Sequence, residues 1–524
     1  MNKKWLGLAA AAVLAAAMAG CGGNGGGSGS ASKIPKDMLV VGIATDVASV
    51  DPAVAMENWQ VPYYCYERLV QYKMENGKPS TEVEGSLAKS WTVSDDGLTW
   101  TFKLNKGHKF ADGTEVDAKA VKFSFDRVKA IKKGPSDYFK LVQSVEAPDS
   151  ETVVITLTKP FAPFLQTLAV DSGNIVNPKV MDHEKDGDFA SGYLASHSAG
   201  SGPYQIAEFN QGQSIKLTAN PHYAGKKPAL QTISFQIIKD PSAQRLQLEK
   251  GDLDIAAGIP MSQLEELKKN KDITIQEAPG MLCSVIYLNN KKAPLSNVKF
   301  RQALSYAVDY KGIIDGAVKG HGEQLTTPVP KGMWGRDDNA AGYTYDVNKA
   351  KELLAQSGVP EGTELTLLYS DNQPFNETQA LMLQNNLKAI GLDLKLEKTA
   401  WPTFRERVDK QDFEMGMGTW SPDYADPQNY MSYWFDSGYF GLAGNRSFYE
   451  NPEVDALLRE AETSSDHQKR IELYQKAQNL VLADAPYLFL FQTNAMVPMR
   501  ANVKGFVYNP MLDNMYNFAD MSKE

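Results

Sequence analysis

Apolar and polar residues alternate most sharply between Trp91 and Leu104. After "WTV" and the turn "SDDG", Leu98, Trp100, Phe102 and Leu104 alternate with Thr99, Thr101 and Lys103. A period of two sends one set to a buried face, so this stretch predicts a β-hairpin. The period then changes. From Asp117, the expected N-cap, "DAKAVKFSFDRV" spaces Val121, Phe125 and Val128 at helical intervals. Further on, Asp346 is expected to cap a helix over "VNKAKELLAQS", with Ala350, Leu353 and Leu354 on one face and Gly358 as its stop. Leu365 and Leu367 predict a strand. Ala380, Leu383, Leu387 and Ile390 predict a second helix ended by Gly391, and Leu392, Leu394 and Leu396 a second strand. Helix and strand in alternation make an α/β lobe. A third strand, "DFEMGMGTW", sets Phe413, Met415 and Met417 on one face and Gly416, Gly418 and Trp420 on the other. Glycines along one face leave room for something to approach the backbone.

The segment "TWSPDYADP" ends that strand and continues past it. Asp423 lies just beyond the strand, where open α/β sheets hold their ligands. Two readings stay open: a carboxylate that caps a turn or helix, or a fixed charge that a ligand meets. The loop position favours the ligand. Asp426, before Pro427, reads as a turn residue. Trp420, and Trp401 in "TAWPTF", suit either a cleft or the core, and Arg301 in "KFRQAL" reads as a helix-end salt bridge.

The N-terminus carries a second signal. "MNKKWLGLAAAAVLAAAMAGCGG" has two lysines, an apolar run from Trp5 to Met18, then small residues up to Cys21. This predicts a secretory signal peptide over residues 1–20, too short and wrongly flanked for a membrane span. Met18-Ala19-Gly20-Cys21 resembles the lipobox of bacterial lipoproteins, which implies lipidation at Cys21, and residues 21–32 read as a flexible tether. About 500 residues remain, enough for more than one lobe. The net charge is −9 and no Lys/Arg run stands out, so nucleic acid is not an expected partner. Cys65 and Cys283 lie in apolar stretches and read as buried free thiols in preference to a disulfide.

Catalytic signatures are missing: there is no GxSxG, HExxH, GxxxxGK[ST] or CxxC. His108, His183, His197, His222, His321 and His467 are scattered. "DHEKDG" at 182–187 opens like a calcium loop, but Tyr193 stands where its bidentate Glu belongs, so it reads as a solvated loop. Asp423 and Asp426 as an acid/base pair is a weaker account than either role above. No catalytic residue, metal or cofactor is expected.

Several stretches, in order, carry a resemblance: "EGSLAKSWTVSDDGLTWTFKLNKGHKFADGTEVDAKAVKFSFDRV" (84–128), "GSGPYQIAEFNQGQSIKLTANPHYAG" (200–225), "VKFRQALSYAVDYKGIIDGA" (298–317), "YTYDVNKAKELLAQSG" (343–358) and "GTWSPDYADPQNY" (418–430). Together they are similar to the extracellular solute-binding proteins of peptide ABC importers, the oligopeptide- and dipeptide-binding group of family 5 type. The resemblance implies a periplasmic-binding-protein-like α/β fold of type II, with two lobes, a hinge and an extra α/β subdomain. It implies limits of 33–80, 201–285 and 498–524 for the first lobe, 81–200 for the subdomain and 286–497 for the second lobe. Asp423 matches the aspartate that takes a peptide's α-ammonium. Thr419, Trp420 and Ser421 match residues that pair with the peptide backbone, a mode that reads no side chains. Trp401 matches an aromatic that lines side-chain pockets. Dipeptide-selective relatives carry an arginine for the ligand carboxylate in the helix after "PYNP"; here "PFNETQALM" has Glu377 and Thr378 near that place, which favours longer peptides. The implied partners are a short peptide, an ABC permease of the cytoplasmic membrane, and the membrane itself through the lipid anchor, the protein acting as an extracytoplasmic monomer. Alternatives are the same fold binding an oligosaccharide, a metal chelate or haem. A further one, of another class, is an extracellular peptidase or chaperone.

Overall fold

Helix and strand alternate through the computed structural model, which describes residues 34–55 and 60–524. The signal segment 1–20, Cys21 and the tether 21–32 lie outside the described residues. Among the described residues, eleven strands form the main sheet. Its two longest, Ile273–Leu288 and Tyr487–Arg500, run antiparallel and serve both halves of the molecule. Residues 273–279 pair with 494–500 and residues 283–287 with 487–492, with a register break between Pro279 and Cys283. On one side of the break the sheet continues through Met415–Trp420, Glu364–Ser370 and Asp393–Thr399. On the other it continues through Ile255–Ala256, Met38–Ile43, Thr232–Ile237, Ser214–Ala219 and Tyr204–Asn210. Two α/β lobes therefore share two strands that cross at one place. The crossing is tight: a Cβ on Gly280 would lie 2.5 Å from the Thr493 carbonyl oxygen, so glycine is required there.

The extra subdomain has a separate four-stranded antiparallel sheet, ordered Ala88–Val93, Thr99–Leu104, Thr152–Leu157, Val142–Glu146. The predicted hairpin is present, with Trp91 opposite Phe102 and Val93 opposite Trp100. Trp100, Phe102 and Leu104 are buried against Val121 and Phe125 of the helix Ala118–Ile131, whose cap Asp117 accepts from the Ala120 N–H at 3.0 Å. Arg127, on the same helix, clamps the subdomain to the first lobe through a buried bidentate pair with Asp51, at 2.8 and 2.7 Å.

In the second lobe Asp346 caps Val347–Ser357, accepting from the Lys349 N–H at 2.9 Å, and Gly358 ends the helix at φ +72°. Helix Asn376–Lys388 stops two residues short of Ile390, which is buried from the turn that follows. Leu365, Leu367, Leu383, Met415 and Met417 share the lobe's core. Cys65 and Cys283 are buried and unpaired, and burial pushes the Cys65 thiol up to about 12. Residues 182–187 are exposed, the first two ending a 3-10 helix and the rest forming a loop. Among the described residues no helix is long and apolar enough to cross a membrane.

Candidate functional site

The strand Met415–Trp420 pairs along its full length with Ile273–Leu288 on one side, but on the other it meets Glu364–Ser370 only at Met415 and Gly416. Past that point the parallel pairing stops, and among the described residues no strand pairs with 417–420 on that side. A crevice opens there, at the carboxyl ends of the strands, where such sheets bind ligands. The glycine face has a different role from the one its pattern suggests. A Cβ on Gly418 would overlap the Tyr287 hydroxyl and one on Gly416 would lie 3.3 Å from the same ring, so the approaching group is a neighbouring strand's tyrosine.

Between the lobes lies a cleft of about 570 Å³. Ser421, Phe375, Thr378 and Lys319 line it from the second lobe, Tyr508 and Asp513 from the first. A larger cavity of about 890 Å³, beside the turn at 75–81, meets the cleft at Gly280 and Tyr508 but touches none of Trp401, Thr419, Trp420, Ser421 or Asp423. Of the candidate residues, the smaller cleft touches Ser421 alone.

Asp423 sits two residues past Ser421, half-buried, its N–H donating to Asn429 Oδ1 at 2.9 Å. Burial pushes its carboxyl up to about 6; the Tyr138 hydroxyl and the Arg446 charge offset only part of that. Among the described residues no backbone N–H bonds to this carboxylate, so it caps nothing. The capping belongs to Asp426, whose Oδ1 accepts from the Gln428 N–H at 3.0 Å. Asp426 is also more than the turn residue its sequence suggests: it is fully buried and ion-paired with Arg470 at 2.8 and 2.9 Å. Arg301 likewise differs from its expected salt bridge. Its guanidinium donates to the carbonyl oxygens of Leu295 at 2.8 Å and Asp484 at 2.6 Å, holding a helix end through the backbone.

Three contacts tie the subdomain and the first lobe to the second lobe. Tyr138, from the subdomain turn Gly134–Phe139, stands edge-on to Tyr424 at 5.9 Å. The Ala425 N–H donates to the Tyr72 hydroxyl at 2.9 Å, and the Ala162 N–H to the Glu462 carbonyl at 2.7 Å. Trp420 is half-buried beneath the Arg446 guanidinium, 5.2 Å from its ring centre, with its indole N–H buried and unpartnered. Arg446 donates to the Tyr287 hydroxyl at 2.8 Å. Thr419 lies opposite Ser284 on the other face. Trp401 opens the helix Trp401–Asp409 and stacks on Phe404 at 5.5 Å with Arg405 at 5.9 Å, contacts within its own helix. Tyr138, Tyr72 and Arg446 escape sequence reading, because each reaches the site from a distant segment that carries no local signature of it.

The sequence model for bacterial extracellular solute-binding proteins, family 5 (middle), matches residues 82–441. The chain is 48% identical to the probable D,D-dipeptide-binding periplasmic protein DdpA of Escherichia coli (strain K12), over 94% of this chain and 95% of that one. It is 32% identical to the dipeptide-binding protein of the same strain, covering 88% and 89%. Among solved structures, the ABC transporter-associated periplasmic binding protein DppA from Helicobacter pylori, in complex with peptide STSA, superposes with a TM-score of 0.79 at 31% identity, covering 93% of this chain and 98% of that one. HbpA2 from Haemophilus parasuis gives 0.83 at 30% identity, covering 93% and 100%. These matches span both lobes and the subdomain, and the type II periplasmic-binding-protein fold is common to them. The chain belongs to the bacterial extracellular solute-binding proteins of family 5.

Proposed function

We propose that the protein captures short peptides between its lobes and delivers them to an ABC permease, held outside the cytoplasmic membrane by a lipid on Cys21. The observation that carries this reading is Asp423. It is a carboxylate pushed up by burial, without a capping role, at the end of a strand edge left uncovered over residues 417–420. An ammonium entering a closed cleft loses its water, and without a fixed anion that costs several kcal/mol. Asp423 supplies the anion. The open edge through Thr419, Trp420 and Ser421 offers main-chain hydrogen bonds to an extended ligand, and Trp401 and Trp420 supply aromatic surface near it. The relatives named for dipeptide or D,D-dipeptide binding, and the neighbour bound to STSA, support a peptide ligand of a few residues.

On this reading the hinge is the crossing at 279–283 and 493–494, and closure swings residues 286–497 against the rest. Contacts such as Ala425 to Tyr72 form only when the lobes meet, so a ligand touching both sides favours the closed state by their difference. The task is binding and hand-over by a monomer, with no reaction step. Calorimetry of the purified protein with Ala-Ala, Ala-Ala-Ala and their N-acetyl forms tests it. Free peptides are expected to bind and N-acetylation to weaken them by about 30-fold or more. Equal affinity for blocked and free peptides overturns the reading.

A further inference from the structure

His321 belongs to the second lobe but its side chain contacts the first. It follows the helix Tyr310–Ala317, and its carbonyl accepts from the Asn494 N–H at 3.0 Å, beside the strand crossing. The ring is mostly buried. Its Nδ1 lies 3.0 Å from Glu277 Oε1, and its Nε2 lies 4.0 Å from Glu265 Oε1. Glu277 is on the strand Ile273–Leu288, on the first-lobe side of the register break, and Glu265 is on the first-lobe helix Met261–Leu267. Met261, one turn before Glu265, lines the interlobe cleft, as do Gly316 and Lys319 from the segment leading to His321. The imidazole and the two carboxylates therefore meet at the edge of the cleft, from opposite lobes.

The two ring nitrogens have different surroundings. Glu277 Oε1 also accepts from the Asn494 side-chain amide at 2.7 Å, and its carboxyl is held below the usual range, by His321 first and Asn494 second. An ionised carboxylate only accepts, so in a neutral ring the proton sits on Nδ1. Nε2 is then a bare lone pair facing the Glu265 carboxylate. Acceptor meets acceptor, and Glu277 alone holds the ring to the first lobe. A second proton reverses this: Nε2 becomes a donor, the ring becomes a cation, and Glu265 becomes its partner.

We infer that His321 is a proton-operated latch between the lobes, whose protonation joins it to Glu265 as well as Glu277 and favours the closed form. Histidine changes charge between about pH 5 and 8, so the latch engages as pH falls through that range. The inference concerns closure itself and holds whichever solute the cleft takes. Other charges nearby have other partners. Lys268 reaches Glu265 Oε1 at 2.6 Å, Asp315 pairs with Lys311, Lys319 donates to the Gly316 carbonyl at 3.0 Å, and Glu323 pairs with Lys331 at 3.0 Å. Lys268 competes for Glu265, and Glu265 is exposed to solvent. The gain is accordingly that of an exposed pair, about twofold to fivefold in the closed-to-open ratio.

The test reads the distance between the lobes of the empty protein at pH 8 and pH 5.5, by pulsed electron spin resonance. Spin labels go on Leu246→Cys and Leu381→Cys in a Cys21→Ser background; both leucines are exposed, one on each lobe, and Cys65 and Cys283 are buried. Asp423 and Asp171, pushed up by burial to about 6 and about 7, take up protons in the same range. The diagnostic quantity is therefore the acid response of the unmutated latch relative to Glu265→Ala and His321→Gln. The closed-to-open ratio is expected to rise about twofold to fivefold more on acidification with the latch intact than in either variant. A rise no larger than in Glu265→Ala or His321→Gln overturns the inference. No peptide is present, so this outcome is independent of whether Asp423 anchors a ligand.

Discussion

Replacing Asp423 with Asn should weaken ligand binding and stabilise the empty protein at the same time. The carboxyl is held up at about 6 by burial, against an ordinary value of 3.8. A folded-state value above the unfolded one means that the ionised group works against folding. The penalty is fully present above about pH 6 and vanishes as pH falls below about 4. Two units correspond to about 2 to 3 kcal/mol at pH 7, discounted slightly for the solvent that still reaches the group. Unfolding about 500 residues at roughly 2.1 cal/mol/K per residue has an entropy near 1 kcal/mol/K, so Asp423→Asn should raise Tm by about 2 to 3 °C at pH 7. At pH 4 the two proteins should melt together. Binding moves the other way: losing the partner of a desolvated ammonium costs about 2 to 5 kcal/mol, roughly 30-fold to a few thousand-fold in Kd. Because an ammonium takes only the ionised form, affinity of the unmutated protein should fall towards about tenfold per pH unit below pH 6. Scanning calorimetry of the empty protein and titration calorimetry with Ala-Ala-Ala, each from pH 4 to 8, read both arms. A variant that melts lower at pH 7, or binds as tightly as the parent, refutes the anchor; a structural cap predicts the first of these.

Tyr72→Phe removes the acceptor of the Ala425 N–H across the cleft, which should cost about 1 kcal/mol of closure and weaken peptide binding about fivefold; unchanged affinity means that this contact does not select the closed form. Asp426→Ala leaves Arg470 buried without its counter-charge and should lower stability by about 3 to 5 kcal/mol in denaturant unfolding, whereas a loss below about 1 kcal/mol returns Asp426 to a simple turn role. The buried thiols of Cys65 and Cys283 should resist a thiol reagent at pH 8 until the chain is unfolded, and rapid labelling of the native protein contradicts their burial.

Local pattern carried much of the fold. The hairpin at 91–104, the caps Asp117 and Asp346 and the strand at 415–420 were legible because period, cap chemistry and glycine stops act within a few residues. The two long crossing strands were not, since their pairing joins segments far apart in the chain and no local period reports it. The site divided in the same way. Asp423 stood out by its place after a strand, but the roles of its neighbours depended on distant partners. Asp426 read as a turn because Arg470 lies 44 residues on. Gly416 and Gly418 read as an opening because the Tyr287 ring that fills it belongs to another strand.

Native mass spectrometry of the purified protein, followed by denaturation and sequencing of whatever is released, identifies what the cleft holds. Peptides of a few residues with free ammonium and carboxylate ends are the predicted result. A single non-peptide mass, such as a sugar, haem or metal chelate, would contradict the account: the two-lobed fold would stand, and Asp423 would lose the role assigned to it.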